Sequence, residues 1–224
     1  MTETQTLHDK GPAPYHFPKN ESDKGFTIIE MLVVVGIIVV VTATVLANNA
    51  KFGGTILLQN LAFDIALSTR EAQIYGLSVQ KFRSSFTSPF GVHFDINGGN
   101  NKTYTVFADA IGVENGHYDC PNPLDKPTCE LVQSTTITRG FHISDLCVTP
   151  ISGTEDCNAT VLDVVYKHPE PDAYIRICTT PAQCSTTLNQ RARVVVTSPR
   201  GDSTNICIEI NGQISVHSGA ACVN

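Results

Sequence analysis

Apolar and polar positions are distributed very unevenly along the chain. Residues 1–25 are polar and rich in charge and proline. Phe26 through Ala50 then carry a single charge, Glu30. Twenty-five helical residues extend roughly 38 Å at 1.5 Å per residue, enough to cross a hydrocarbon core of about 30 Å. Much of this run is β-branched Val and Ile, which in water favour strands. Lipid offers the backbone no hydrogen-bond partner, so there the run is expected to be a helix. Gly53-Gly54 follows and is expected to loosen or kink that helix. From Leu57 the pattern changes: Leu57, Leu61, Ile65, Ser68, Ala72, Tyr75 and Val79 recur at spacings of three and four, with Asp64, Arg70, Glu71 and Gln73 between them. This predicts an amphipathic helix over about 55–80 with one buried face. A core face is the ordinary reading of such a stripe; a cofactor or nucleic-acid surface is the rarer one.

Beyond residue 79 short apolar runs alternate with turn residues. Strands are expected at Val79–Phe82, Gly91–Phe94, Tyr104–Phe107, Leu131–Thr138, His142–Cys147, Val161–Tyr166, Tyr174–Cys178 and Arg193–Val196, with a hairpin over Ile206–Val216. Asn211-Gly212 lies between two alternating runs there, a type I′ turn signal. The expected fold class is α+β: a long N-terminal helix, its first half apolar and its second amphipathic, packed on an antiparallel sheet. Four segments follow: a leader 1–25, an apolar helical half 26–52, an amphipathic half 53–80 and a β-rich head 81–224.

Composition adds the compartment. All eight cysteines lie between Cys120 and Cys222. An even number confined to one segment points to disulfides in an oxidising environment. Zinc is the rival reading, but structural zinc sites favour close CxxC pairs and none is present. Eight cysteines allow 105 pairings. The sequential set, Cys120–Cys129, Cys147–Cys157, Cys178–Cys184 and Cys207–Cys222, is preferred because each bond closes a short turn-rich loop. The loops around them carry Pro121, Pro123, Pro127, Pro169, Pro171 and Pro181. Lys19 and Lys24 precede the apolar run and Lys51 follows it, a slight positive-inside bias that puts the N-terminus in the cytoplasm and the head outside.

The net charge is −6, of which residues 1–25, with three Lys and four Asp or Glu, contribute −1. The remainder is mildly acidic and exerts no general attraction on nucleic acid. Arg191, Arg193 and Arg200 form a late basic cluster that a solvated face explains equally well. Two loops offer oxygen ligands for calcium: Asp95 to Asn101, through Asp95 and Asn97, and Asp109 to Asp119, with Glu114 and Asn115 between. Neither has the twelve-residue calcium-loop pattern, and Asp, Asn and Gly also make plain turns. No GxxxxGK[ST], GxSxG, HExxH or CxxC occurs, and the seven His are scattered through the sequence. Nothing supports catalysis, and no cofactor is expected beyond this calcium option.

The junction Lys24-Gly25-Phe26-Thr27-Ile28-Ile29-Glu30 followed by an uncharged run resembles the cleavage motif of type IV prepilins, shared by pilins and the pseudopilins of type II secretion and competence. The resemblance implies a pilin-like fold and a structural role. It implies a cut by prepilin peptidase after Gly25, N-methylation of the new N-terminus at Phe26, and an assembly role for Glu30. In that family the Glu pairs with the N-terminal amine of a neighbouring subunit; the plainer alternative is a residue at the membrane edge of an ordinary anchor. Gly25, lacking a side chain, suits an extended backbone entering a narrow protease site. A leader of 25 residues is long for the family. Implied partners are other pilin or pseudopilin subunits, the peptidase, the inner-membrane assembly platform and the lipid bilayer. Leu61 to Gly76 and the segment Arg193 to Val216 further resemble H-type minor pseudopilins and T-type fimbrial minor pilins (the GspH/FimT-like group). This favours a minor subunit over a major pilin. Some of that group bind DNA through basic residues near the end of the last hairpin. Here Ser215–Asn224 has no Lys or Arg, and nucleic acid is not an expected partner.

Overall fold

The computed structural model describes residues 25–111, 114–120, 128–180, 183–185, 187–219 and 222, without the side chains of 47–52, 179, 180, 183 and 184. The leader 1–24 and the loop prolines Pro121, Pro123, Pro127 and Pro181 lie outside the described residues. The chain divides into two compact units, Met1–Asn48 and Asn49–Asn224.

Helix α1 runs Ile28–Leu77. Gly53-Gly54 does not interrupt its helical hydrogen bonding. Each glycine costs about 1 kcal/mol of helix propensity relative to Ala, too little by itself to end a helix. The helix ends three residues before the expected boundary. Ser78 N–H still bonds Ile74 O, Gln80 N–H reaches back to Tyr75 O, and Val79 turns left-handed at φ 54°. Arg83 is left-handed as well. Extended backbone is therefore broken at both ends of the strand expected at Val79–Phe82, and the segment is a turn closed by a Phe82–Ser85 bridge.

The strands of the head are β1 Phe90–Asp95, β2 Thr103–Ala108, β3 Leu131–Thr136, β4 His142–Pro150, β5 Asp156–Ala159, β6 Val161–Lys167, β7 Glu170–Thr180, β8 Gln183–Cys184, β9 Asn189–Thr197, β10 Ser203–Glu209 and β11 Ile214–His217. Instead of one sheet they form two, in orders β3-β2-β1-β6-β7-β8 and β11-β10-β9-β4-β5. Paired strands run antiparallel throughout. One hydrophobic cluster joins α1 (Leu58, Ala62, Ile65, Ala72) to both sheets, through Val92, Phe94, Leu162, Val164 and Ile175 of the first and Ile143, Leu146, Val194, Val196, Ile206 and Ile208 of the second.

The buried face of α1 is rotated from the stripe read in the sequence. Leu58, Ala62, Ile65, Thr69, Ala72, Gln73 and Gly76 are buried, while Leu57 and Val79 are exposed. Close approach explains this choice. A Cβ on Gly76 would stand 2.4 Å from Tyr166 O, so the helix meets β6 through its small residues, which a hydrophobicity pattern undervalues.

The final turn also differs from expectation. Gly212 is left-handed (φ 79°) but Asn211 is not, and type I′ requires both. Glu209 N–H bonds Gln213 O, and Gly212 N–H bonds Glu209 O. The connection is a three-residue loop with glycine at its left-handed position. Gln73 of α1 docks on it, its Nε2 donating to Pro171 O (3.0 Å) and Gly212 O (3.2 Å). A Cβ on Gly212 would lie 2.2 Å from Pro171 O, so both backbone angle and space require glycine here.

Candidate functional site

The first candidate is the start of α1. Gly25 has no neighbour within 4 Å of where a Cβ would stand, and Phe26 is 77% exposed. Thr27 lies just before the helix. Its carbonyl accepts the N–H of Glu30 and Met31, and its hydroxyl lies 3.3 Å from Glu30 N. This is the Thr-x-x-Glu pattern of a helix N-terminus, with the acid in the first turn where the helix dipole favours it. Thr27 was legible in the sequence by that spacing, though the motif around Gly25 and Glu30 draws the eye first. Glu30 is exposed, and no ion pair is made by it among the described residues.

From Ile28 to Leu46 the helix is long and apolar enough to cross a membrane, and none of that span is buried within the chain. Such a surface is stable only against lipid or other protein, because every apolar side chain left in water forgoes about 1.5–3 kcal/mol of burial.

The head gathers a second set of residues. Asp163 of β6 is buried, and its two oxygens meet His93 Nδ1 of β1 (2.7 Å) and His117 Nδ1 of the 109–120 loop (3.1 Å). Burial alone would push its carboxyl up; the two imidazoles overcome this and hold it below the usual range. These His residues look isolated in the sequence, 46 and 70 positions from Asp163, and only strand pairing and loop return bring them to it.

The two calcium-candidate loops are turns closed by their own carboxylates. Asp95 accepts Asn97 N–H (2.7 Å) and Asn100 Nδ2 (2.6 Å). Asp109 is buried and accepts the N–H groups of Asn115 and Gly116, while Asp119 accepts Asn115 Nδ2. Glu130, also buried, receives the N–H groups of Ala110, Ile111 and Asp119. Burial raises its carboxyl to about 7 against the pull of those three donors. Burial raises Asp109 as well. Asp95 and Asp119 do share one wall, lining with His93, His117 and Asp163 a cavity of about 480 Å³.

Disulfides join Cys120 to Cys129, Cys147 to Cys157 and Cys207 to Cys222. Cys178 is also disulfide-bonded and faces Cys184 in the β7–β8 register; the Cys184 side chain lies outside the described residues. Two clusters bring potential metal-ligand atoms together, His117–Asp163–Cys178 and Cys147–Glu155–Cys157. In both the sulfur is tied up in a disulfide and offers no thiolate. Of the late basic cluster, Arg193 makes a bidentate pair with Glu155 (2.8 and 2.6 Å), and Arg191 pairs with Glu209 and donates to Cys222 O (3.0 Å). Arg200 sits in the turn after β9, its N–H bonded to Ser198 Oγ.

A family model, the prokaryotic N-terminal methylation motif, matches residues 22–46. No curated protein and no solved structure matches the chain. The matched residues hold the Gly25–Phe26 junction, the capped first turn with Glu30 and the exposed apolar span. Carried on an α+β head of antiparallel sheets and disulfides, that motif makes the chain similar to the type IV pilins and pseudopilins over residues 22–46.

Proposed function

We propose that this chain is a minor subunit of a type IV pilus or a type II secretion pseudopilus, priming, capping or decorating the filament. The observation that carries the reading is the methylation motif seated on a helix whose apolar span is wholly exposed. Prepilin peptidase cuts after Gly25, Phe26 is N-methylated, and the assembly platform in the inner membrane extracts the anchored subunit. The head stands outside the cytoplasm, where its disulfides form. Glu30 pairs with the amine of a neighbouring Phe26 and sets the axial register. A carboxylate within the bilayer costs roughly 2.5–3.5 kcal/mol at its centre, and such a partner offsets the cost. The resemblance of Leu61–Gly76 and of the last hairpin to the GspH/FimT-like group supports the minor role.

The N-terminal peptide of the mature chain tests this reading. Mass spectrometry is expected to find a peptide beginning at Phe26 and bearing one methyl group; a chain that retains residues 1–25 would sink the proposal. A major pilin is the structural alternative, and dominance of this subunit in filament proteomics would establish it. A DNA-binding minor subunit is a further alternative. The carboxylate pairing of Arg191 and Arg193 weighs against it, and a low-salt gel-shift titration with the full chain is expected to show no retardation.

A further inference from the structure

Three triplets in the chain have the form Asn-X-Ser/Thr, the acceptor pattern for N-linked glycosylation: Asn20-Glu21-Ser22, Asn101-Lys102-Thr103 and Asn158-Ala159-Thr160. The first lies in the leader. The structure separates the other two. Asn101 is half-buried, and its triplet is tied down through the backbone: Asn101 O accepts Ile143 N–H (2.8 Å), Lys102 O accepts Ile137 N–H (2.7 Å), and Thr103 Oγ1 donates to Asn100 O. The triplet at Asn158 is also held, Thr160 O accepting Ile96 N–H (2.9 Å) and Thr160 Oγ1 donating to Cys178 O (3.4 Å), but Asn158 itself is exposed. It lies on β5, the last strand of its sheet order, which among the described residues pairs with β4 alone. Asp156, Cys157 and Asn158 are all exposed.

The local chemistry at Asn158 is distinctive. Asp156 Oδ1 accepts both the backbone N–H of Asn158 (3.0 Å) and its Nδ2–H (2.6 Å). A carboxamide nitrogen is a poor nucleophile because its lone pair is delocalised into the carbonyl. Here one of its two N–H bonds already points at a carboxylate, and the side chain is open to solvent.

We propose that Asn158 is an N-glycosylation site, taking sugar from a lipid-linked glycosyl phosphate through a membrane glycosyltransferase, and that Asn101 is not. In the transfer, Nδ2 attacks the anomeric carbon and the C1–N bond forms. The C1–O bond to phosphate breaks, phosphate leaves with the electron pair, and Nδ2 gives up one proton, the one directed at Asp156. No oxidation or reduction is involved. The glycan has a physical role at this position. An edge strand exposes unpaired N–H and C=O groups that invite pairing with another chain, and a bulky hydrophilic group there covers the free edge of β5.

The inference rests on the reading that the head is extracytoplasmic. One experiment separates the two: intact-mass and peptide mapping, without reduction, of the full chain purified from its own organism. The expected result is a carbohydrate mass on the peptide containing Asn158, lost in Asn158→Gln and Thr160→Ala, retained in Thr160→Ser, and unaffected by Asn101→Gln. Asp156→Asn is expected to lower occupancy severalfold. Disulfides present with an unmodified Asn158 would overturn the inference and leave the location of the head standing. Reduced cysteines with an unmodified Asn158 would overturn both. Sugar on Asn101 alone would overturn the structural argument that distinguishes the two triplets.

Discussion

The same residue types meet opposite environments in the two units of this chain. In the first, Val33, Val34, Val35, Ile37 and Ile38 are each 46–58% exposed. In the second, Val92, Val164, Val194, Val196 and Ile206 are wholly buried. Nothing in the chemistry of valine distinguishes them. The head has two sheets and a helix face that satisfy one another, so its apolar surface is spent within the chain. Among the described residues the N-terminal span has no such partner. Its sequence makes sense only with lipid or another subunit against it, which is why the methylation motif and the exposed helix carry the likeness to pilins while the head carries stability.

That contrast can be broken experimentally. Phe94→Ala removes a fully buried ring from the head and is expected to cost about 3–5 kcal/mol. Ile38→Ala trims an exposed side chain and is expected to change the head's unfolding by less than about 0.5 kcal/mol. Denaturant melts of the full chain in detergent read both; equal destabilisation would erase the distinction between the units.

A smaller effect sharpens the electrostatic side of the head. The Glu130 carboxyl is raised from 4.5 to about 7, chiefly by burial. The folded chain then holds a proton that the unfolded chain has released, so the stability from this group is full below pH 4.5 and is lost as pH rises through about 7. The loss is on the order of 2–3 kcal/mol over that window, with Asp109 adding in the same direction. Melts between pH 4.5 and 7.5 are expected to show a shallower decline in Glu130→Gln than in the native chain; identical slopes would remove Glu130 as the cause.

A more local effect concerns the start of the apolar helix. Thr27→Ala removes the hydroxyl beside Glu30 N–H and is expected to cost about 1 kcal/mol of local helix stability. Amide exchange at Ile29 and Glu30 reads it directly, and unchanged exchange would show that Thr27 does not cap the helix.

Much of this organisation was legible in advance because it depends on local pattern. The apolar run, the Gly-Phe junction and Glu30 announce themselves over a few residues, and the alternating segments from Gly91 onward mark most strands of the head. The misreadings share one cause. The Leu57 stripe was off because the buried face includes Ala62, Ala72 and Gly76, residues too small to score as a hydrophobic face, and Gly76 meets β6. Gly53-Gly54 did not interrupt the helix because propensity is a small term beside its hydrogen bonds. Asn211-Gly212 promised a type I′ turn, but contacts from Gln73 and Pro171 select a longer loop with one left-handed residue.

The sequence by itself determined the place of the methylation motif, the apolar run that follows it and the confinement of cysteine to residues 120–222, since these need only composition and short-range spacing. Only the tertiary structure decided that the head holds two sheets, that His93 and His117 share Asp163, that the calcium-candidate carboxylates cap their own loops, and that Asn158 is exposed on β5 while Asn101 is half-buried. Each of those depends on contacts between residues far apart in the chain, where register and close packing choose among partners that a linear pattern leaves equivalent.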